Sequence, residues 1–218
     1  MLVLDFPAGS FTTNAYIIAP APGSGCLIVD PGQRSAEKIR TLISGHRLVP
    51  EAVLLTHGHM DHTWDAVPLC RDFDIPVYIH PGDRFMLGVP EAGLPDSFPA
   101  DLLEGHPHRE PTDVRHLPGP ESPLSIAGIT VHSHHVGGHT PGSVILHCTA
   151  EDDVLLTGDA LFAGSIGQAF SGNLRSLQEA VAEVFGPMPD GGSLLPGHGD
   201  SSTVRQERRR QPFLNLRR

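Results

Sequence analysis

The hexapeptide His57-Gly58-His59-Met60-Asp61-His62 places four candidate metal ligands directly after the apolar run Ala52-Val53-Leu54-Leu55. Packing explains such a cluster poorly, because buried imidazoles and carboxylates need partners and adjacent ones compete for them. A divalent cation satisfies all of them at once. In an extended segment residues two apart point the same way, so His57 and His59 can share one ion. Asp61 and His62 stand where the chain is expected to turn into a helix, and can face a second. Asp61 alone could be a helix N-cap, a role that leaves the neighbouring histidines unexplained.

Three later points repeat the pattern. His139 lies in Gly138-His139-Thr140-Pro141-Gly142-Ser143 before an apolar run. Asp159 follows one in Thr157-Gly158-Asp159-Ala160-Leu161-Phe162, and His198 follows another in Leu195-Pro196-Gly197-His198-Gly199. Small flanking residues permit close backbone approach. The shared placement at strand ends, more than any single residue, makes these three candidate ligands.

The elements that must position these groups are legible as apolar runs between turn residues. Leu2–Leu4, Ala15–Ile18 and Cys26–Val29 predict strands. Ser35 is expected to cap a helix over Ala36–Ile43. Ala52–Leu55 predicts a buried strand, Thr56–Asp61 a polar loop, Thr63–Arg71 a second helix and Val77–Ile79 the next strand. From 81 to about 120 proline and glycine interrupt the rhythm, which predicts short helices and a cover over a site. Leu124–Ile126 and Ile129–Val131 flank a hairpin turn at Ala127-Gly128, and Val144–Leu146 and Val154–Leu156 form another strand pair. Leu174–Phe185 is an amphipathic helix with Leu177, Ala180, Val181 and Val184 on one face. Ser193–Leu195 predicts the last strand, and a short helix is expected from Ser201.

The 218 residues suit one domain spanning 1–218, and 39% hydrophobic content places the chain among globular proteins. No apolar run could span a bilayer, and Met1-Leu2-Val3-Leu4-Asp5 lacks the basic start of a signal peptide. Cys26, Cys70 and Cys148 sit in apolar stretches at no paired spacing, which predicts buried free thiols and a cytoplasmic protein. A net charge of −10 argues against nucleic acid as a partner. The one basic cluster, Arg205, Arg208, Arg209, Arg210, Arg217 and Arg218, reads as a solvated helix and tail, with contact to an anionic substrate as the alternative. Of the other histidines, His135 is expected at a strand-end surface rather than behind the ligands, and His106, His108 and His116 are expected to be exposed. Trp64 is expected to serve packing.

HGHMDH, GHTPGS, GDALF and PGHG, in that order, resemble the metallo-β-lactamase-fold superfamily, and within it the hydroxyacylglutathione hydrolase (glyoxalase II-like) branch. The resemblance implies an α+β fold, a single-domain αββα sandwich with the metal site at one edge of its two sheets. Carried over motif by motif, His57, His59 and His139 would hold one ion and Asp61, His62 and His198 a second, with Asp159 bridging them. An aspartate at the bridging position argues against β-lactam hydrolysis as the main activity. The family's continuation GSIGR is here Gly164-Ser165-Ile166-Gly167-Gln168. Only ~20 residues follow His198 here, so the glutathione contacts that a C-terminal extension carries in larger members are not carried over.

Two divalent ions about 3.5–4 Å apart lower the pKa of a bridging water and supply hydroxide at neutral pH. One can polarise a scissile carbonyl while the other steadies the developing oxyanion. The expected function is therefore hydrolysis of a thioester or similar small acyl compound, with Asp61 orienting the hydroxide while holding its ion. Competing readings are a persulfide dioxygenase with one iron on His57, His59, His139 and Asp159, a lactone or phosphodiester hydrolase, and a non-catalytic metal-binding module. Zinc is the expected ion, although iron and manganese accept the same donors.

Overall fold

The computed structural model describes residues 1–95, 97–150 and 152–215. Six short strands pair edge to edge: β1 (Leu2–Ala8), β2 (Thr13–Ala19), β3 (Gly25–Val29), β4 (Val49–Leu54), β5 (Val77–Ile79) and β6 (Val114–His116), in that order across one sheet. The first three are antiparallel, and from β3 to β6 the pairing is parallel. Parallel neighbours need long crossovers. These are α1 (Ala36–His46), then α2 (Met60–Thr63) with α3 (Ala66–Phe73), then a long segment that holds α4 (Phe85–Gly88) and several 3-10 turns.

The second half builds a second sheet from β7 (Leu124–Ile126), β8 (Ile129–His135), β9 (Val144–Thr149) and β10 (Asp153–Gly158). A small separate hairpin, β11 (Leu161–Phe162) and β12 (Ser165–Ile166), precedes α5 (Leu174–Phe185). β13 (Ser193–Pro196) and β14 (Ser202–Thr203) then complete the sheet in the order β14-β13-β10-β9-β8-β7, and α6 (Val204–Arg210) follows.

Successive side chains of a strand point to opposite faces, and here both faces are covered. Ile17 of β2, Ile28 of β3 and Val53 of β4 pack outward with Ile39 and Ile43 of α1 and Leu69 of α3. Their neighbours Tyr16, Ile18, Leu27, Val29 and Leu54 face inward, against Val144, Leu146, Val154 and Leu156 of the second sheet. Ile145 and Leu155 turn to the far side, under Leu177, Val181 and Phe185 of α5. The layers are thus helix, sheet, sheet, helix, the predicted αββα sandwich.

Several local expectations needed correction. Ser35 does not cap α1 with its side chain. Instead the Asp65 carboxylate, far along the chain, accepts from the Ala36 N–H at 2.8 Å. The helix expected over Thr63–Arg71 is two helices, α2 and α3, broken at Trp64 and Asp65. The segment from 81 to 120 contributes β6 to the sheet as well as short turns. The basic cluster is not simply a solvated face: Arg208 is buried, and its guanidinium donates to the carbonyls of Phe185 and Met188 and to Asp190. Arg217 and Arg218 lie outside the described residues.

The two sheets are joined at one edge. The Asn14 N–H donates to the Gly197 carbonyl at 2.7 Å, Thr13 bridges His198, and Gly197 N–H donates to the Gly158 carbonyl at 2.9 Å. Every candidate ligand emerges at this edge.

Candidate metal centre

After β4 the chain stays extended through His59 (φ −61°, ψ 143°) and then enters α2. His57 and His59 therefore converge on His139, with ring centroids 4.9 and 4.7 Å from it. His139 Nε2 and His59 Nδ1 are 3.0 Å apart. The first turn of α2 carries Asp61 and His62 to a second meeting point, where Asp61 Oδ2 lies 3.3 Å from His198 Nε2 and 3.5 Å from His62 Nε2. Asp159 stands between the two groups. Its oxygens are 3.4 Å from His62 Nε2, 3.5 Å from His198 Nε2 and 3.6 Å from His139 Nε2. All seven residues singled out in the sequence meet here.

The outer ring nitrogens fix which inner ones keep a lone pair. Nδ1 of His139 donates to the Gln168 carbonyl at 2.9 Å, and Nδ1 of His62 donates to Asp30 Oδ2 at 3.0 Å. Thr56 Oγ1 donates to Asp30 Oδ2 at 2.6 Å and accepts from Nδ1 of His57 at 3.1 Å. In His57 and His139 this leaves Nε2 facing the centre as an acceptor, and in His62 it turns Nε2 toward the centre. Buried Nε2 of His57, Nε2 of His62 and Oδ1 of Asp159 have no hydrogen-bond partner.

The charges divide in the same way. Burial, reinforced by the surrounding histidines, holds His57 well below the ordinary imidazole value. Burial also pushes His59 and His139 down to about 4, against the opposing pull of Asp61 and Asp159 respectively. These three imidazoles are neutral donors. Burial acts against charge on His62 too, but Asp61, Asp159 and Asp30 outweigh it and push His62 up to about 10. At Asp61 burial opposes the charge, yet His62 and His198, with the Thr13 hydroxyl at 2.8 Å, hold the carboxyl well below the usual range. The carboxylates thus draw positive charge into the centre, and a divalent cation supplies it without protonating a ligand. Donor atoms of His57, His59 and His139 lie within 4.8 Å of one another, as do those of Asp61, His62 and His198. Neutral nitrogens, anionic oxygens and unpartnered buried atoms fit two divalent ions.

Two functional positions were missed in the sequence. Asp30 ends β3 in an Asp-Pro-Gly turn with φ +47°, and it organises Thr56, His57 and His62 from behind. Asp83, fully buried, accepts from the Gly58 N–H at 2.9 Å, the Gly142 N–H at 2.6 Å and the Thr140 hydroxyl at 2.6 Å. It fastens the loop of His57 and His59 to the loop of His139. Close packing imposes glycine at 197, where a Cβ would collide with Asp159 Oδ1 and His62 Cε1.

The remaining histidines are peripheral to the centre. His135 is exposed at the end of β8, bonded to the Pro141 carbonyl at 2.8 Å and stacked on His80. His108 and His116 are exposed, but His106 is buried with its ring edge against Trp64, contrary to expectation. Trp64 is itself buried with Met60 and Leu103, in the packing role expected. Cys26, Cys70 and Cys148 are buried free thiols, as expected.

Above the centre opens a cavity of about 610 Å3, reaching His59, Asp61, His139 and Asp159 at its floor. Its walls are mostly apolar and come from the β1–β2 turn, the 81–120 segment and the loop after β12.

A family profile described as the metallo-beta-lactamase superfamily matches residues 8–215. Hydroxyacylglutathione hydrolase GloC of Haemophilus influenzae is 32% identical over 96% of this chain and 96% of its own. Among solved structures, BLEG-1 B3 metallo-beta-lactamase superposes with a TM-score of 0.83 at 33% identity, covering 98% of this chain and 99% of that one. TTHA1623 in a di-iron-bound form superposes with a TM-score of 0.76 at 29% identity, covering 97% and 100%.

Proposed function

Since this chain belongs to the metallo-beta-lactamase superfamily, we propose that it is a hydrolase in which His57, His59 and His139 hold one divalent ion, Asp61, His62 and His198 hold a second, and Asp159 bridges them. The observation that carries this reading is the convergence of these groups on buried atoms without hydrogen-bond partners, at the floor of an open cavity. Bound there, the ions would acidify a water molecule and polarise a carbonyl.

The chain's own residues do the rest. Asp61, fixed by Thr13, is the carboxylate placed to orient the attacking water. Asp30, Thr56 and the Gln168 carbonyl hold His62, His57 and His139 in the tautomer that faces the centre. The titratable groups that line the described cavity are His59, Asp61, His139 and Asp159, all in the donor set, so none remains to protonate a leaving group. A thiolate leaves with little such help, which favours a thioester over an amide or simple ester. The name of the similar GloC supports the same class. A complete second trio at Asp61, His62 and His198 favours two ions over the single iron of a dioxygenase.

The test is metal analysis of protein purified without added metal, followed by thioesterase assays before and after chelation. Turnover that requires the ion, and that His59→Ala abolishes, is expected; full turnover by metal-free protein would overturn the proposal. The similarity to BLEG-1 gives β-lactam hydrolysis a place as a second reading, which a nitrocefin assay on the same preparation tests.

A further inference from the structure

We infer that the cavity selects an uncharged, apolar acyl thioester and discriminates against thioesters of anionic thiols such as glutathione. This inference rests on the hydrolase reading and names the substrate class for it.

Six large apolar side chains form the walls: Phe11, Phe85, Met86, Leu94, Phe98 and Phe170. Phe11 and Phe98, both in the lining, stack at 6.3 Å. The Phe170 ring lies 5.4 Å from the His139 ring and 6.2 Å from His59, so a group held against it lies beside the proposed metal ligands. Phe85 and Phe170 are 48% and 58% exposed at this cavity. Exposed aromatic surface gathered round a polar floor is what an apolar ligand covers favourably.

The charge argument runs the same way. Among the described lining residues there is no lysine or arginine, and both carboxylates belong to the floor. The carboxylates of a glutathione moiety would lose water against these walls and gain no lysine or arginine in exchange. An alkyl or aryl acyl chain gains with each methylene it buries. In the reaction, water oxygen bonds to the acyl carbon, the C–S bond breaks with its electron pair going to sulfur, and the two water protons end on the thiol and in solvent. Neither product needs a cationic subsite.

The experiment pairs turnover with binding on one metal-loaded preparation. S-octanoyl-N-acetylcysteamine and S-lactoylglutathione are the substrates. The non-hydrolysable thioethers S-octyl-N-acetylcysteamine and S-octylglutathione are titrated by calorimetry. The neutral thioether should bind at least about tenfold tighter than the glutathione thioether, and kcat/KM for saturated acyl chains should rise about threefold to fourfold per added methylene until the cavity is filled. Leu94→Arg, and Phe170→Lys at an exposed position, should each cut the neutral-to-anionic ratio about tenfold. Equal or tighter binding of the glutathione thioether, no binding of either thioether, or an unchanged ratio in both variants overturns the inference and leaves the hydrolase reading to its own assay. Binding of the neutral thioether with no thioester turned over supports the cavity assignment and refutes the hydrolase reading.

Discussion

Asp30 Oδ2 lies 3.0 Å from Nδ1 of His62, and both groups are buried. The same carboxylate accepts from Thr56 through its N–H at 2.8 Å and its hydroxyl at 2.6 Å, and that hydroxyl meets His57. One aspartate behind the centre therefore sets the orientation of a histidine in each proposed ligand set. Asp30→Ala should weaken metal binding about 10–100-fold and cost about 1–3 kcal/mol through the buried Thr56 N–H left unpaired. Metal titration followed by calorimetry, with denaturant unfolding of the metal-free protein, measures the two effects separately. Unchanged affinity would remove Asp30 from the site.

Asp83 has an equivalent role between loops. It holds Gly58, Thr140 and Gly142 together, and burial raises its pKa against those hydrogen bonds. Asp83→Ala leaves two buried N–H groups without their acceptor, and should cost about 2–4 kcal/mol of stability. His57, His59 and His139 would then lose their common anchor, so the variant should also bind metal more weakly. Limited proteolysis should cut the 81–120 segment faster in this variant than in the wild type.

What was legible in the sequence, and what was not, follows from the distance between partners. His57 to His62 declare themselves because four donors crowd six residues, and small neighbours mark His139, Asp159 and His198. The strands and helices of the layers show in apolar runs such as Ala15–Ile18 and in the amphipathic spacing of Leu174–Phe185, and their αββα stacking is implied by the resemblance to the metallo-β-lactamase-fold superfamily. Asp30 reads locally as the start of a turn, because its partners Thr56 and His62 lie 26 and 32 residues away. Asp83 is hidden among prolines and glycines for the same reason, with Gly142 59 residues distant. Asp65 replaces Ser35 as the acceptor for the start of α1 from 29 residues away. Arg208 belongs to a charge run in sequence, and only the fold brings it to the carbonyls that end α5.

Removing the proposed ions should destabilise the fold as well as stop turnover. Asp61 and Asp159 lie close to three histidines, and the unpartnered Nε2 atoms of His57 and His62 lose their only acceptor of electron density. A ligand that binds only the native state adds about 2.7 kcal/mol at a hundred times its Kd. Thermal unfolding with chelator and with added zinc, iron or manganese should show a rise that saturates with each ion bound. No shift with any of the three would contradict the proposed centre.

The three thiols should be inert in the native protein. Burial pushes Cys26, Cys70 and Cys148 each up to about 12, so thiolate is scarce at neutral pH and reagent access is blocked. Labelling with a chromogenic disulfide should be negligible in buffer and should reach three equivalents in denaturant. Fast labelling of the folded protein would mean that one of the cores around these residues opens readily.

Acid sensitivity should trace in part to Glu207. Its buried carboxylate accepts from the Ser202 hydroxyl, the Gly164 N–H at 2.7 Å, Gln211 Nε2 at 2.7 Å and Arg210 at 3.1 Å. Burial opposes the charge, but these donors prevail and hold its pKa below the ordinary value of 4.5. A folded-state pKa below the unfolded one means that the unfolded chain binds the proton more readily. The contribution is therefore complete above the unfolded value and is lost as pH falls through 4.5 toward the folded one. Glu207→Gln should flatten the pH dependence of unfolding in that window and cost about 1–3 kcal/mol at neutral pH. Because Glu207 ties α6 to the β11–β12 turn at Gly164, the loss should appear in unfolding curves while the metal stoichiometry stays at the wild-type value. An acid limb as steep as that of the wild type would place the titrating carboxylate elsewhere.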